Sequence, residues 1–111
     1  MRFLMKVTVP VSEGNDAIID GSLPATLSSI LSEIKPEAAY FAEDDGNWTA
    51  FLFVNMESVS QLPALAEPFY LAFSAKVEFR PAMNFEDLKN AAPGFENAVR
   101  KYGRASRAAG A

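Results

Sequence analysis

Apolar and polar side chains alternate over residues 3–9, with Phe3, Met5, Val7 and Val9 on one side and Leu4, Lys6 and Thr8 on the other. A period of two with β-branched residues predicts a strand, and Pro10 ends it. The Glu13-Gly14-Asn15 cluster that follows reads as a turn or a short helical lead-in. From Ser22 the period lengthens: Leu23, Leu27, Ile30, Leu31 and Ile34 fall on one helical stripe. Ser22 is placed to accept from the free amides of the first turn, and Pro24 is tolerated there because no donor is yet needed. Pro36 disfavours helical geometry at Lys35 and stops the helix, leaving the Lys35 charge near the negative end of its dipole.

Ala38 to Glu43 and Trp48 to Met56 then read as two strands around Asp44-Asp45-Gly46-Asn47, where Asp-Gly supplies the positive φ of a tight hairpin. The run Trp48-Thr49-Ala50-Phe51-Leu52-Phe53-Val54 is apolar at nearly every position, which predicts burial on both faces. After it, Ser58 and Gln61 fit a capping box, and Val59, Leu62, Leu65, Ala66 and Phe69 form a helical stripe. Pro63 and Pro68 inside that stripe predict a kink or two short pieces. Lys76 to Arg80 is a last strand closed by Pro81. Asn84, with Asp87 three residues on, caps a terminal helix that Pro93-Gly94 interrupts before Phe95 to Tyr102.

The order β-α-β-β-α-β is that of a split βαβ sandwich, so the expected fold is α+β and ferredoxin-like, with a four-stranded antiparallel sheet and a C-terminal helix. Right-handed crossovers put the first and third strands in the centre and both helices on one face. The other face has no helix to cover it, yet the third strand is apolar on that side too and the first offers Leu4. An uncovered apolar sheet face marks an interaction surface, and pairing with a second copy would cover it isologously. The expected unit is one domain over residues 1–103, followed by a flexible basic tail at 104–111.

Composition narrows the chemistry. The 111 residues contain neither Cys nor His, which removes disulfides, thiolate nucleophiles, Cys-ligated metals, the commonest general base and the proximal haem ligand. Four of the ten basic side chains lie in residues 98–111, leaving six against 14 acids in the remainder of a chain whose net charge is −4. An acidic body repels phosphate backbones, so no nucleic-acid partner is expected. Lys6 cuts the N-terminal apolar run too early for a signal-peptide core, and no stretch reaches membrane-spanning length, so a cytoplasmic protein without a membrane partner is expected.

The segment Val77-Glu78-Phe79-Arg80-Pro81-Ala82-Met83-Asn84-Phe85-Glu86-Asp87-Leu88, following Ala66-Glu67-Pro68-Phe69, resembles small bacterial proteins of the ferredoxin-like, dimeric α/β-barrel superfamily. The resemblance covers about residues 2–90, and it rests on closing-strand and capping patterns. It implies a homodimer with a cavity between sheet and helices or between paired sheets. The superfamily includes cofactor-free monooxygenases, lactone isomerases, haem-dependent enzymes and ligand-binding regulators. Its haem members rely on a His that this chain lacks, so no cofactor is expected. Fold likeness does not choose among the others.

Lys6, Glu78 and Arg80 are the charges that fall inside strands, each on the parity opposite to its strand's most apolar face. One reading is a polar cluster in which Lys6 or Arg80 holds an anionic substrate and Glu78 takes a proton. The plainer one is a cross-strand ion pair at a sheet edge. Tyr40, Trp48, Asn55 and Tyr70 are the other ligand-binding candidates, because aromatics with polar tips line small-molecule pockets and a buried amide needs partners. Core and interface packing is their ordinary alternative. Glu43-Asp44-Asp45 reads as a solvated turn, not a metal clip. Two functions remain: a dimeric domain binding a small hydrophobic or anionic ligand, or a cofactor-independent monooxygenase or isomerase acting on an enolisable or aromatic substrate.

Overall fold

A computed structural model describes residues 1–104. The chain runs β1 (Arg2–Thr8), α1 (Val11–Ile19), α2 (Leu23–Ile34), β2 (Ala38–Asp44), β3 (Asn47–Asn55), a 3-10 turn (Val59–Gln61), α3 (Leu62–Phe73), β4 (Lys76–Pro81), α4 (Phe85–Asn90) and α5 (Ala92–Tyr102). The four strands form one open sheet in the order β2-β3-β1-β4. Every neighbouring pair is antiparallel. The α+β class and the four-stranded antiparallel sheet are therefore as the apolar pattern predicts.

Register decides which side chains share a face. Met5 stands opposite Leu52 and Phe79, and Val7 opposite Ala50 and Val77. This face carries the core: Met5, Val7 and Leu52 are wholly buried, and they cluster with Ala17 of α1, Ile30 of α2, and Leu65, Phe69 and Phe73 of α3. The first three helices thus cover one side of the sheet. On the other side Leu4 faces Phe53, and Lys6 faces Phe51. There Phe51 and Phe53 are only half-buried. The expectation that β3 is buried on both faces is accordingly corrected for the described residues, among which no helix packs on its second face.

Local chemistry explains where the elements start and stop. The hairpin turns at Asp45 and Gly46, whose φ values of 53° and 80° place both in the left-handed region of a two-residue turn. The lead-in at Glu13-Gly14-Asn15 is a full helix of nine residues. Gly14 is buried within it, and a Cβ there would meet Val9 Cγ1 at 3.4 Å, an ordinary contact distance. Ser22 does not cap α2 through its side chain: Gly21 turns the chain at φ 79°, and Ser22 is already helical. Its amide is instead held by Asp20 Oδ1 at 2.8 Å. The hydrogen bonds with Ser22 hold the Asp20 carboxyl below its usual range.

The expected capping box is present, with Ser58 Oγ accepting from the Ser60 amide at 3.3 Å and Gln61 Oε1 accepting from the Ser58 amide at 3.0 Å. Pro63 sits in the first turn of α3, where its missing donor costs nothing, and Pro68 is carried inside one continuous helix. Replacing Ser58 by Ala removes the cap acceptor and is expected to lower stability by about 1 kcal/mol, read as a lower thermal midpoint.

The C-terminal segment departs from the domain. Neither α4 nor α5 buries a residue. The molecule measures 65 Å along its long axis against 30 and 22 Å across it. Its radius of gyration, 19.4 Å, exceeds the roughly 13 Å of a compact domain of about this size. Residues 85–102 therefore form an arm. It leaves the sheet where Pro81 pairs with Phe3, at the end opposite the β2–β3 hairpin tip. Asn84 and Asp87 fix its root by a reciprocal capping box, at 2.8 and 3.0 Å. The expected flexible tail at 104–111 falls, beyond Arg104, outside the described residues.

Candidate functional site

The seven candidate residues divide by strand parity. Lys6, Tyr40, Asn55, Glu78 and Arg80 all lie on the open face of the sheet, Trp48 lies on the helix-covered face, and Tyr70 is on α3. They do not meet in one place.

On the open face Lys6 stands opposite Glu78 in the β1–β4 register. Its ammonium nonetheless pairs with Asp44, at the far end of β2. Glu78 is taken by its own strand, 3.2 Å from Arg80 and 3.8 Å from Lys76. These charges therefore neutralise one another across an exposed surface, where such pairs contribute a few tenths of a kcal/mol. Tyr40 is 65% exposed beside them. Asn55 Oδ1 accepts from the Met1 amino group at 2.8 Å, so its amide ties the start of β1 to the end of β3. Nearby, the hydrogen bond from Arg2 to Glu37, and then the Glu37 charge, push the Arg2 guanidinium still further up.

The helix-covered face contains a different kind of site. Between the hairpin end of the sheet and the corner formed by α1 and α2 lies a cavity of about 380 Å³. Its floor is Val7 and Ala50, its walls include Leu27, Phe69 and Phe73, and Gly14 and Ile18 of α1 close one side. Phe41, 54% exposed, and Trp48, 63% exposed, stand at its mouth. No ionisable side chain lines it. The one hydroxyl on its border, Thr49, is spent on the Asn47 carbonyl at 3.1 Å.

The sequence explains why this space exists. Ala50 is the smallest side chain on the covered face of β3, between the larger Trp48 and Leu52. It stands opposite Val7 and Phe41. Leu27 and Leu23 of α2 reach across from above but are only partly buried. An apolar pocket open at one mouth favours apolar molecules over water. The volume lies within the range of small-molecule pockets. Of the seven candidates, Trp48 alone borders the cavity. Sequence reasoning missed Phe41, Gly14 and Ile18. Phe41 shares its parity with Ala39, which packs on the core, and that alternation is the signal by which it could have been found.

Among the described residues no three His, Cys, Asp or Glu side chains are grouped to hold a metal ion, and no helix is long and apolar enough to cross a membrane. Comparison of the chain with protein-family models, with curated proteins and with solved structures finds no match.

Proposed function

We propose that this chain is a ferredoxin-like domain of the dimeric α/β-barrel type that pairs through its open sheet face and binds a small apolar molecule between sheet and helices. The single observation that carries the binding reading is the 380 Å³ cavity with its wholly uncharged lining. The fold assignment is supported by the central position of β1 and β3 and by the restriction of the first three helices to one face. The dimer is supported by Leu4, Phe51 and Phe53, a run of large apolar side chains over which no helix lies among the described residues.

The ligand is hydrophobic, because the cations suggested by the sequence as anion holders, Lys6 and Arg80, already face Asp44 and Glu78. Exposed Trp48 and Phe41 at the mouth favour a flat molecule, which can stack on an aromatic ring as it enters. Binding is favoured over turnover: a general base or a carbonyl-polarising amide would have to border the substrate, and Glu78 and Asn55 lie on the other side of the sheet.

A thermal-shift series of neutral bicyclic aromatics and medium-chain alcohols tests this. A ligand present at 100 times its dissociation constant is expected to stabilise the protein by about 2.7 kcal/mol. A series in which no apolar compound raises the melting temperature, while planar carboxylates do, would refute the hydrophobic assignment.

A further inference from the structure

We propose that the arm of residues 85–102 lies along the open sheet face of a second copy and that the second copy's arm lies along this one. The inference rests on the homodimer proposed above and deepens it: each open sheet face meets the partner through the partner's arm, not by direct contact of sheet on sheet.

Among the described residues nothing buries one surface of the arm. Phe85 and Leu88 on α4, and Ala92, Phe95, Val99 and Tyr102 on α5, recur at intervals of three and four residues, the spacing of an apolar stripe on each helix. The five large ones are between 42% and 74% exposed. Lys89, over the Phe85 ring at 5.7 Å and paired with Glu86 at 3.6 Å, marks the polar flank. An amphipathic stripe of this width is stable when it is packed against another apolar layer. The open face provides such a layer in Leu4, Phe51 and Phe53.

Charge selects a second copy of this chain as the occupant. The far end of the arm is basic, with Lys101 in the last turn of α5 and Arg104 beyond it. The hairpin tip is acidic: Glu43, Asp44 and Asp45 adjoin one another, with Lys6 offsetting one charge.

Dimensions agree. The two helices of the arm, six and eleven residues long, rise about 9 and 16 Å, and the nine residues of β3 span about 30 Å. The arm departs from the sheet end opposite the hairpin. A two-fold axis near that end therefore carries each arm outward along the partner's sheet, from its Pro81 end to its acidic tip. One symmetry operation buries both stripes and both open faces, and it matches both charged ends.

The full chain contains no Cys, so two introduced cysteines report position without interference. Sedimentation velocity at micromolar concentration is expected to show wild type at twice its 12.1 kDa chain mass. The Phe95→Asp/Val99→Asp variant is expected to self-associate roughly 100-fold more weakly. Its far-ultraviolet dichroism and melting at high dilution are expected to match wild type, because neither residue is buried in the single chain. The Asp44→Cys/Lys101→Cys variant is expected to form disulfide-linked dimers under mild oxidation. A dimer that survives the Asp substitutions, or a cysteine pair that fails to link, overturns the arm's placement and leaves sheet pairing standing. A wild-type monomer at micromolar concentration overturns the dimer and the arm exchange together.

Discussion

Replacing Leu52 by Ala is expected to lower the unfolding free energy by about 2–5 kcal/mol, seen as a reduced urea midpoint with little change in slope. Leu52 is wholly buried and stands at the middle of β3 between Met5 and Ala39, so the lost methyl groups leave a hole that the sheet cannot close. Its neighbour Phe51 is the larger side chain but projects from the other face, where it is half-buried. Phe51→Ala is expected to cost only about 1 kcal/mol in dilute protein, because little apolar area leaves water there on folding. If the open face is covered by a second copy, that cost grows with protein concentration, since association stabilises only the folded chain. The Leu52 variant has no such dependence beyond that of wild type. A Phe51 variant as unstable as the Leu52 variant at every concentration would mean that the sheet's second face is core already.

The contrast between these adjacent residues also shows how much of the fold could be read from the sequence. Alternation in β1 and the Asp45-Gly46 turn are local signals, and the structure follows them within a residue or two. β3 was harder, because a strand apolar on both sides looks the same whether its second face is covered by its own helices, by a partner, or by nothing. The helix α1 was obscured by Gly14 and Asn15, residues of low helical propensity. Gly14 is buried in α1 and borders the cavity, a placement invisible in local pattern. Ser22 shows the reverse error: it has good capping chemistry, but Gly21 has already turned the chain.

The candidate site was less legible than the fold. The residues singled out were those with polar tips or charges, and strand parity sends five of them to the open face. The cavity is built from side chains that carry no chemistry, and it exists because Ala50 is small where its neighbours are large. Absence of volume leaves no motif. The arm was visible as a capped helix interrupted at Pro93-Gly94, and the break falls instead at Ala91, with Pro93 in the first turn of α5; its separation from the body was not visible, because an amphipathic stripe does not say which surface it will meet.

Ala50→Phe should separate the cavity from the rest of the protein by changing sign with ligand. Ala50 is 5% exposed and forms part of the cavity floor opposite Val7. A phenyl ring there enters existing space and gains dispersion contacts with Leu27, Phe69 and Phe73. Without ligand the variant is expected to be as stable as wild type or up to about 2 kcal/mol more stable, the usual gain from filling a void. With a saturating apolar ligand the order reverses. Wild type gains about 2.7 kcal/mol at 100 times the dissociation constant, whereas the filled variant gains nothing. Calorimetry on both proteins, with and without the same bicyclic aromatic, reads all four states. A variant that loses stability and still responds to ligand would place the ring elsewhere and the binding site outside this cavity. The crossing of the two curves is the result that only an occupied space between Ala50 and α2 produces.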